Sequence, residues 1–180
     1  MKNKNYLFGT IILAISLTLG ACANDNDKNE SMNHESMDHS NSGEVPKDLK
    51  EAKNPKYEIG SKAVINADHM KGMKGAKATI SGAYDTTAYV VTYTPTTGGK
   101  KVKNHKWVIQ EEIKNPGDKT LKAGTEVTLI ADHMKGMKGA TAEIVSAEKT
   151  TVYMVDYKPS AGGKKVTNHK WVTEGELSPE

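Results

Sequence analysis

Cysteine, phenylalanine and tryptophan are scarce in this chain: among 180 residues there are one Cys, one Phe and two Trp. A single Cys excludes an internal disulfide framework, a CxxC redox motif and a Cys-rich zinc site. Hydrophobic residues make up only 36%, and the mean hydropathy of −0.62 excludes a polytopic membrane protein. No charge sign dominates. The 25 basic and 22 acidic residues leave a formal charge of +3, which argues against a nucleic-acid partner. The length suits one ordinary domain or two small ones. The chain does have eight Met and six His, a high number for so polar a sequence, and they are clustered.

The one long apolar run is at the start. Lys2 and Lys4 precede the stretch from Tyr6 to Leu19, which is short for a membrane span and has the form of a signal peptide, expected over residues 1–21. It ends Leu19-Gly20-Ala21-Cys22. This resembles the bacterial lipobox, which implies cleavage before Cys22 and lipid attachment to its sulfur. The expected location is therefore the outer face of a cytoplasmic membrane, with the lipid as anchor.

Residues 22–55 are polar, rich in Asn, Asp, Ser, Glu and Lys. Such a stretch cannot bury enough surface to offset its ordering entropy, so it reads as a disordered tether. It carries a doubled M-x-H unit, Met32 with His34 and Met37 with His39. A thioether and an imidazole two residues apart can reach one ion, and the soft thioether favours Cu(I).

The remainder is a direct repeat. Gly60–Ile113 aligns without gaps on Gly124–Leu177 at an offset of 64 residues, with about thirty identical positions, the mark of a tandem duplication. Repeat domains are expected at 56–114 and 120–178, joined by a Pro-Gly connector, Lys114–Asp118. Within each unit the apolar period is two. Ala76, Ala78 and Ile80 recur as Ala140, Ala142 and Ile144, and Tyr89, Val91 and Tyr93 as Tyr153, Val155 and Tyr157. These read as half-buried strands. Gly98-Gly99 and Gly162-Gly163 supply positive-φ turns into short strands at Val102 and Val166. The expected fold class is all-β: two tandem SH3-like (KOW-like) barrels of five short strands, with Trp107 and Trp171 packed over one barrel end.

The longest identical run, Ala67–Ala76 and Ala131–Ala140 (ADHMKGMKGA), falls in the loop between the first two strands. It holds H-M-x-x-M. A second block, Asn104–Val108 and Asn168–Val172 (NHKWV), adds another His. In a small barrel these segments lie close, so one metal site per repeat is expected. The first set is His69, Met70, Met73 and His105; the second is His133, Met134, Met137 and His169. Imidazole and thioether without thiolate suit Cu(I), with Ag(I) as its chemical analogue. Asp68 and Asp132 are candidates to orient the adjacent loop or a ligand imidazole. Lys71 and Lys74 beside the site disfavour a divalent ion. Against this stand two plainer roles: Met70 or Met73 as a core plug, and His105 as a satisfied histidine hydrogen-bonded to the loop. No nucleophile–base pair or blue-copper ligand set is present, so an enzyme is not expected.

These blocks, in tandem behind a lipobox, resemble the YdhK-type domain of unknown function and the CopL-type copper-binding lipoproteins of staphylococci and related bacilli. The resemblance implies an extracellular, membrane-anchored Cu(I) binder that sequesters copper and supports copper resistance. It also implies a copper-export ATPase or other copper-handling protein as partner. The alternative is a tandem SH3-like module without a metal role that binds cell-wall polymers through an exposed groove of Tyr84, Tyr89, Tyr93 and their partial counterparts, Tyr84 being Glu148 in the second copy.

Overall fold

The computed structural model describes residues 41–180. Their secondary structure is β apart from two single 3₁₀ turns, Gln110–Glu112 and Glu174–Glu176. The strands are β1 (Lys50–Glu51), β2 (Lys62–Ile65), β3 (Lys77–Tyr93), β4 (Val102–Ile109), β5 (Glu126–Thr128), β6 (Thr141–Tyr157), β7 (Val166–Thr173) and β8 (Leu177–Pro179). Signal peptide, Cys22 and the ligand candidates Met32, His34, Met37 and His39 lie outside the described residues.

The all-β expectation holds, but the two repeats do not form separate closed barrels. The alternating segments read as pairs of short strands are single 17-residue strands, β3 and β6. No Pro interrupts them, and the Thr-rich centres (Asp85-Thr86-Thr87 and Lys149-Thr150-Thr151) continue the extended backbone. β3 and β6 pair antiparallel from Ala78↔Tyr157 to Tyr93↔Ala142, with a register shift near each end. Thr86 faces Thr150, its own counterpart in the repeat. The two repeats are therefore related by an approximate two-fold axis through that pair.

All eight strands belong to one sheet, which does not close on itself: its main path runs β5-β6-β3-β2-β8, with β1 and β4 on β3 and β7 on β6. The long strands carry the second half of each repeat away from its first half. One core combines Ala63, Ile65, Met73 and Ile80 of repeat one with Tyr153, Val155, Tyr157 and Leu177 of repeat two. The other combines Tyr89, Val91, Tyr93 and Val108 of repeat one with Leu129, Met137 and Ile144 of repeat two. Each lobe thus takes its first half from one repeat and its second half from the other, an exchange like that of domain-swapped dimers, within one chain.

The opposite parity of β3 and β6 faces a third core: Tyr84, Ala88 and Val90 with Val152 and Met154. Trp107 and Trp171 pack here, against residues of both long strands, so the expected barrel-end anchors belong to one shared cluster. Residues 41–55, read as the end of the tether, are ordered against this layer. Leu49 is buried beside the tryptophans with Val45 half-buried, and β1 pairs with Tyr84 and Asp85 of β3. Two apolar side chains and a strand pairing offset the ordering entropy that the polar composition alone could not. Among the described residues no helix is long and apolar enough to cross a membrane.

Candidate functional site

The ADHMKGMKGA loop is held by glycine geometry and by the opposite repeat. Gly72 and Gly136 have φ of +77° and +79°. A Cβ on Gly136 would lie 2.6 Å from the Thr97 hydroxyl, and one on Gly72 would lie 3.1 Å from Pro159. The two loops are also tied to their neighbours through Thr96 N–H to Gly136 O (2.9 Å) and Ser160 N–H to Gly72 O (2.8 Å). Much of the run's identity between repeats is therefore accounted for by backbone and packing.

Its methionines divide into two kinds. Met73 and Met137 are fully buried among Ala, Ile, Leu and Tyr side chains, the place of a core plug. Met70 and Met134 are half-buried and pack on the margins of the two cores. The Met134 sulfur stands 4.0 Å from the Tyr93 hydroxyl.

The histidines are brought together across repeats. His105 lies on β4, paired with Val91 of β3, and so in the lobe that holds the second loop. Its ring centroid is 6.4 Å from that of His133 and 5.9 Å from that of Tyr93. The structure therefore gathers His105, His133 and Met134, rather than His105 with His69 and Met70 as the sequence order suggested. In the other lobe His169, paired with Val155, stacks edge-on against Tyr157 at 5.8 Å, in the core that Met70 adjoins. By the repeat relation the positions equivalent to His105, His133 and Met134 are His169, His69 and Met70; the ring contact of His69 is with Trp107, at 6.4 Å. Asn104 and Asn168, just before these histidines, have φ of 52° and 51°, a left-handed conformation that Asn tolerates better than most residues.

Asp68 and Asp132 do not hold the loop imidazoles. Two glutamates at the repeat ends do. His133 Nε2 lies 2.6 Å from Glu112 Oε1, and His69 Nε2 lies 2.8 Å from Glu176 Oε1. The other oxygen of each carboxylate is also engaged. Glu112 Oε2 accepts from Trp171 Nε1 (3.1 Å) and the Ile109 amide (3.2 Å). Glu176 Oε2 accepts from Trp107 Nε1 (2.7 Å) and the Thr173 amide (3.1 Å). Burial by itself would raise the Glu176 carboxyl, but the hydrogen bond and attraction of His69, the Trp107 indole and the Thr173 amide outweigh it and bring it down to about 2. Nδ1 of both His69 and His133 is buried and has no hydrogen-bond partner. Sequence reasoning missed the glutamates. Their one signal was identity at offset 64 inside the otherwise divergent ends QEEI and EGEL.

Among the described residues no group of three or more His, Cys, Asp or Glu is arranged to hold a metal. The tyrosines that a wall-binding groove would need exposed are buried: Tyr84 is 9% exposed, Tyr89 0% and Tyr93 1%.

Fold and site define an all-β protein of two tandem repeats that exchange halves around paired His–Glu–Trp contacts. The chain belongs to the DUF1541 family, proteins of unknown function, whose pattern matches residues 59–110 and 123–174. It is 62% identical to the uncharacterized protein YdhK of Bacillus subtilis (strain 168), over 99% of this chain and 91% of that protein. The crystal structure of that DUF1541 protein superposes with a TM-score of 0.78 at 70% identity, covering 82% of this chain and all of the other. The solution structure of the YdhK C-terminal domain superposes with a TM-score of 0.65 at 71% identity, covering 68% of this chain and 93% of that domain.

Proposed function

We propose that the protein is an extracellular, lipid-anchored Cu(I) binder that sequesters copper at the membrane surface and supports copper resistance, with one soft-metal site in each lobe. The observation that carries this reading is the convergence of His105, His133 and Met134, with a buried, unpartnered Nδ1 on His133. Two imidazoles sharing one ion stand roughly 6 Å apart between ring centroids, given metal–nitrogen distances of about 2 Å. The 6.4 Å separation of His105 and His133 is close to that span. A thioether at the margin of an apolar core completes a set that suits a soft monovalent ion. His69, Met70 and His169 would form the second site. Met73 and Met137 are packing residues in this account. The anchor at Cys22 and the Met/His units Met32–His34 and Met37–His39 extend the reading to the tether, and Ag(I) is expected to substitute for Cu(I).

The test is a chelator-competition titration of the mature protein with Cu(I). At least two ions should bind per chain. His133→Ala should remove one of them and leave the other. No binding, or binding unaltered by changes at His133 and His69, would overturn the reading.

A further inference from the structure

The buried carboxylate of Glu112 and the half-buried one of Glu176 stand between the loop histidines and the tryptophan core. They use every oxygen in doing so. Glu112 holds His133 on Oε1, and Trp171 with the Ile109 amide on Oε2. Glu176 holds His69 on Oε1, and Trp107 with the Thr173 amide and hydroxyl on Oε2. The His133 and Glu112 side chains are 8% and 7% exposed; those of His69 and Glu176 are 10% and 16% exposed. Resting on the soft-metal reading above, we propose that Glu112 and Glu176 are positioning and specificity-determining residues of the two sites. Each fixes its histidine in the tautomer with the proton on Nε2 and presents Nδ1 to the ion.

The chemistry follows from donor and acceptor counts. A carboxylate only accepts, so a neutral imidazole hydrogen-bonded to it carries its proton on that nitrogen and leaves the other lone pair bare. Nδ1 of His69 and His133 is the buried nitrogen without a partner, as this requires. A carboxylate behind a ligating imidazole orients the ring and raises its basicity. Because both oxygens of each glutamate are already engaged, a hard divalent ion finds no free carboxylate there. The ion meets imidazole and thioether instead, a combination that favours a monovalent soft metal over Zn(II) or Mg(II). The bonds also connect the sites to the centre of the fold. Glu112 belongs to repeat one and holds His133 and Trp171 of repeat two, while Glu176 holds His69 and Trp107 in reverse.

The test begins on the unaltered mature protein, so it does not depend on any variant folding. Long-range ¹H–¹⁵N NMR at about pH 8, above the ordinary imidazole range, reads the tautomer of each histidine. His69 and His133 should be protonated at Nε2 with bare Nδ1; protonation at Nδ1 in either would overturn the proposal. Titration with Ag(I) should then shift Nδ1 of both residues and leave Nε2 protonated, and Zn(II) should not displace the Ag(I). Displacement by Zn(II), or a shift at Nε2, would overturn the inference while leaving metal binding intact. A complete lack of Ag(I) and Cu(I) binding would overturn the soft-metal reading as well. Glu112→Gln sets an amide N–H₂ against donors that now meet an acceptor. It should weaken Ag(I) binding at His133 by about 10- to 100-fold, with the His69 signals as internal control for the fold. Unchanged affinity and tautomer at His133 in that variant would overturn the proposal.

Discussion

Glu112 accepts a hydrogen bond from the indole of Trp171 at 3.1 Å, although one residue closes the first repeat and the other lies near the end of the second. The same bond recurs from Trp107 to Glu176 at 2.7 Å. These reciprocal contacts express in two pairs of side chains what β3 and β6 do over 17 residues each. Neither repeat completes its own lobe.

An isolated repeat should therefore fail to fold as a monomer. A fragment of residues 41–116 contains the first half of one core and the second half of the other. It should be unfolded at low concentration. At high concentration it should pair through β3 of two copies about Thr86 and dimerise. Light scattering after gel filtration, with circular dichroism, checks this; a stable folded monomer would contradict the exchanged architecture.

The two kinds of methionine should separate experimentally. Met137→Ala opens a hole in a fully buried core and should cost about 2–5 kcal/mol of stability in urea unfolding. Met134→Ala, at the half-buried margin, should cost under about 1 kcal/mol yet reduce Cu(I) or Ag(I) affinity in its lobe. Equal stability losses with no change in metal binding would place both in the packing class.

Gly82 lies under the ring of Tyr84, where an added Cβ would come within 2.8 Å of the ring. The second repeat has Ser146 and Glu148 at the equivalent positions. Gly82→Ser alone should destabilise the protein by about 1–3 kcal/mol through overpacking. Adding Tyr84→Glu should relieve the clash but uncover Trp171, against which Tyr84 packs edge-on at 5.7 Å. Thermal melts of the two single variants and the double variant form a cycle, and the expected result is strong non-additivity.

Acid should act through Glu176. Its carboxyl is held at about 2 in the folded state against an ordinary value of 4.5. A group with a depressed folded pKa contributes stability above its unfolded pKa and loses it as the pH falls towards the folded value. Stability should thus decline between about pH 4.5 and pH 2, and Glu176→Gln should flatten that limb. Urea midpoints measured across this range give the comparison; an unchanged slope in the variant would remove Glu176 from the account.

Much of the strand content could be read directly. The period-two runs, the turns at Gly98-Gly99 (φ 79° and 106°) and Gly162-Gly163 (φ 84° and 118°), and the strand starts at Val102 and Val166 all stand where the pattern places them. The joining of the Ala76–Ile80 and Tyr89–Tyr93 patterns into one strand was not legible, because Asp85-Thr86-Thr87 is as compatible with a turn as with extended chain. The candidate site suffered from the same ambiguity. Sequence order places His105 with the loop of its own repeat, whereas the uninterrupted strand delivers it to His133. Glu112 and Glu176 sit in short polar ends that look like solvated tails until the tryptophans cover them.

By itself the amino-acid order determined the duplication, the β character, the glycine-dependent loops and the supply of imidazole and thioether donors. These follow from local backbone sterics and from identity between copies, neither of which needs a partner in space. Only the tertiary structure decided which copy supplies which half of a lobe, which histidines meet and which carboxylates hold them. Those contacts depend on where a long extended strand ends, a non-local property set by pairing between segments 64 residues apart.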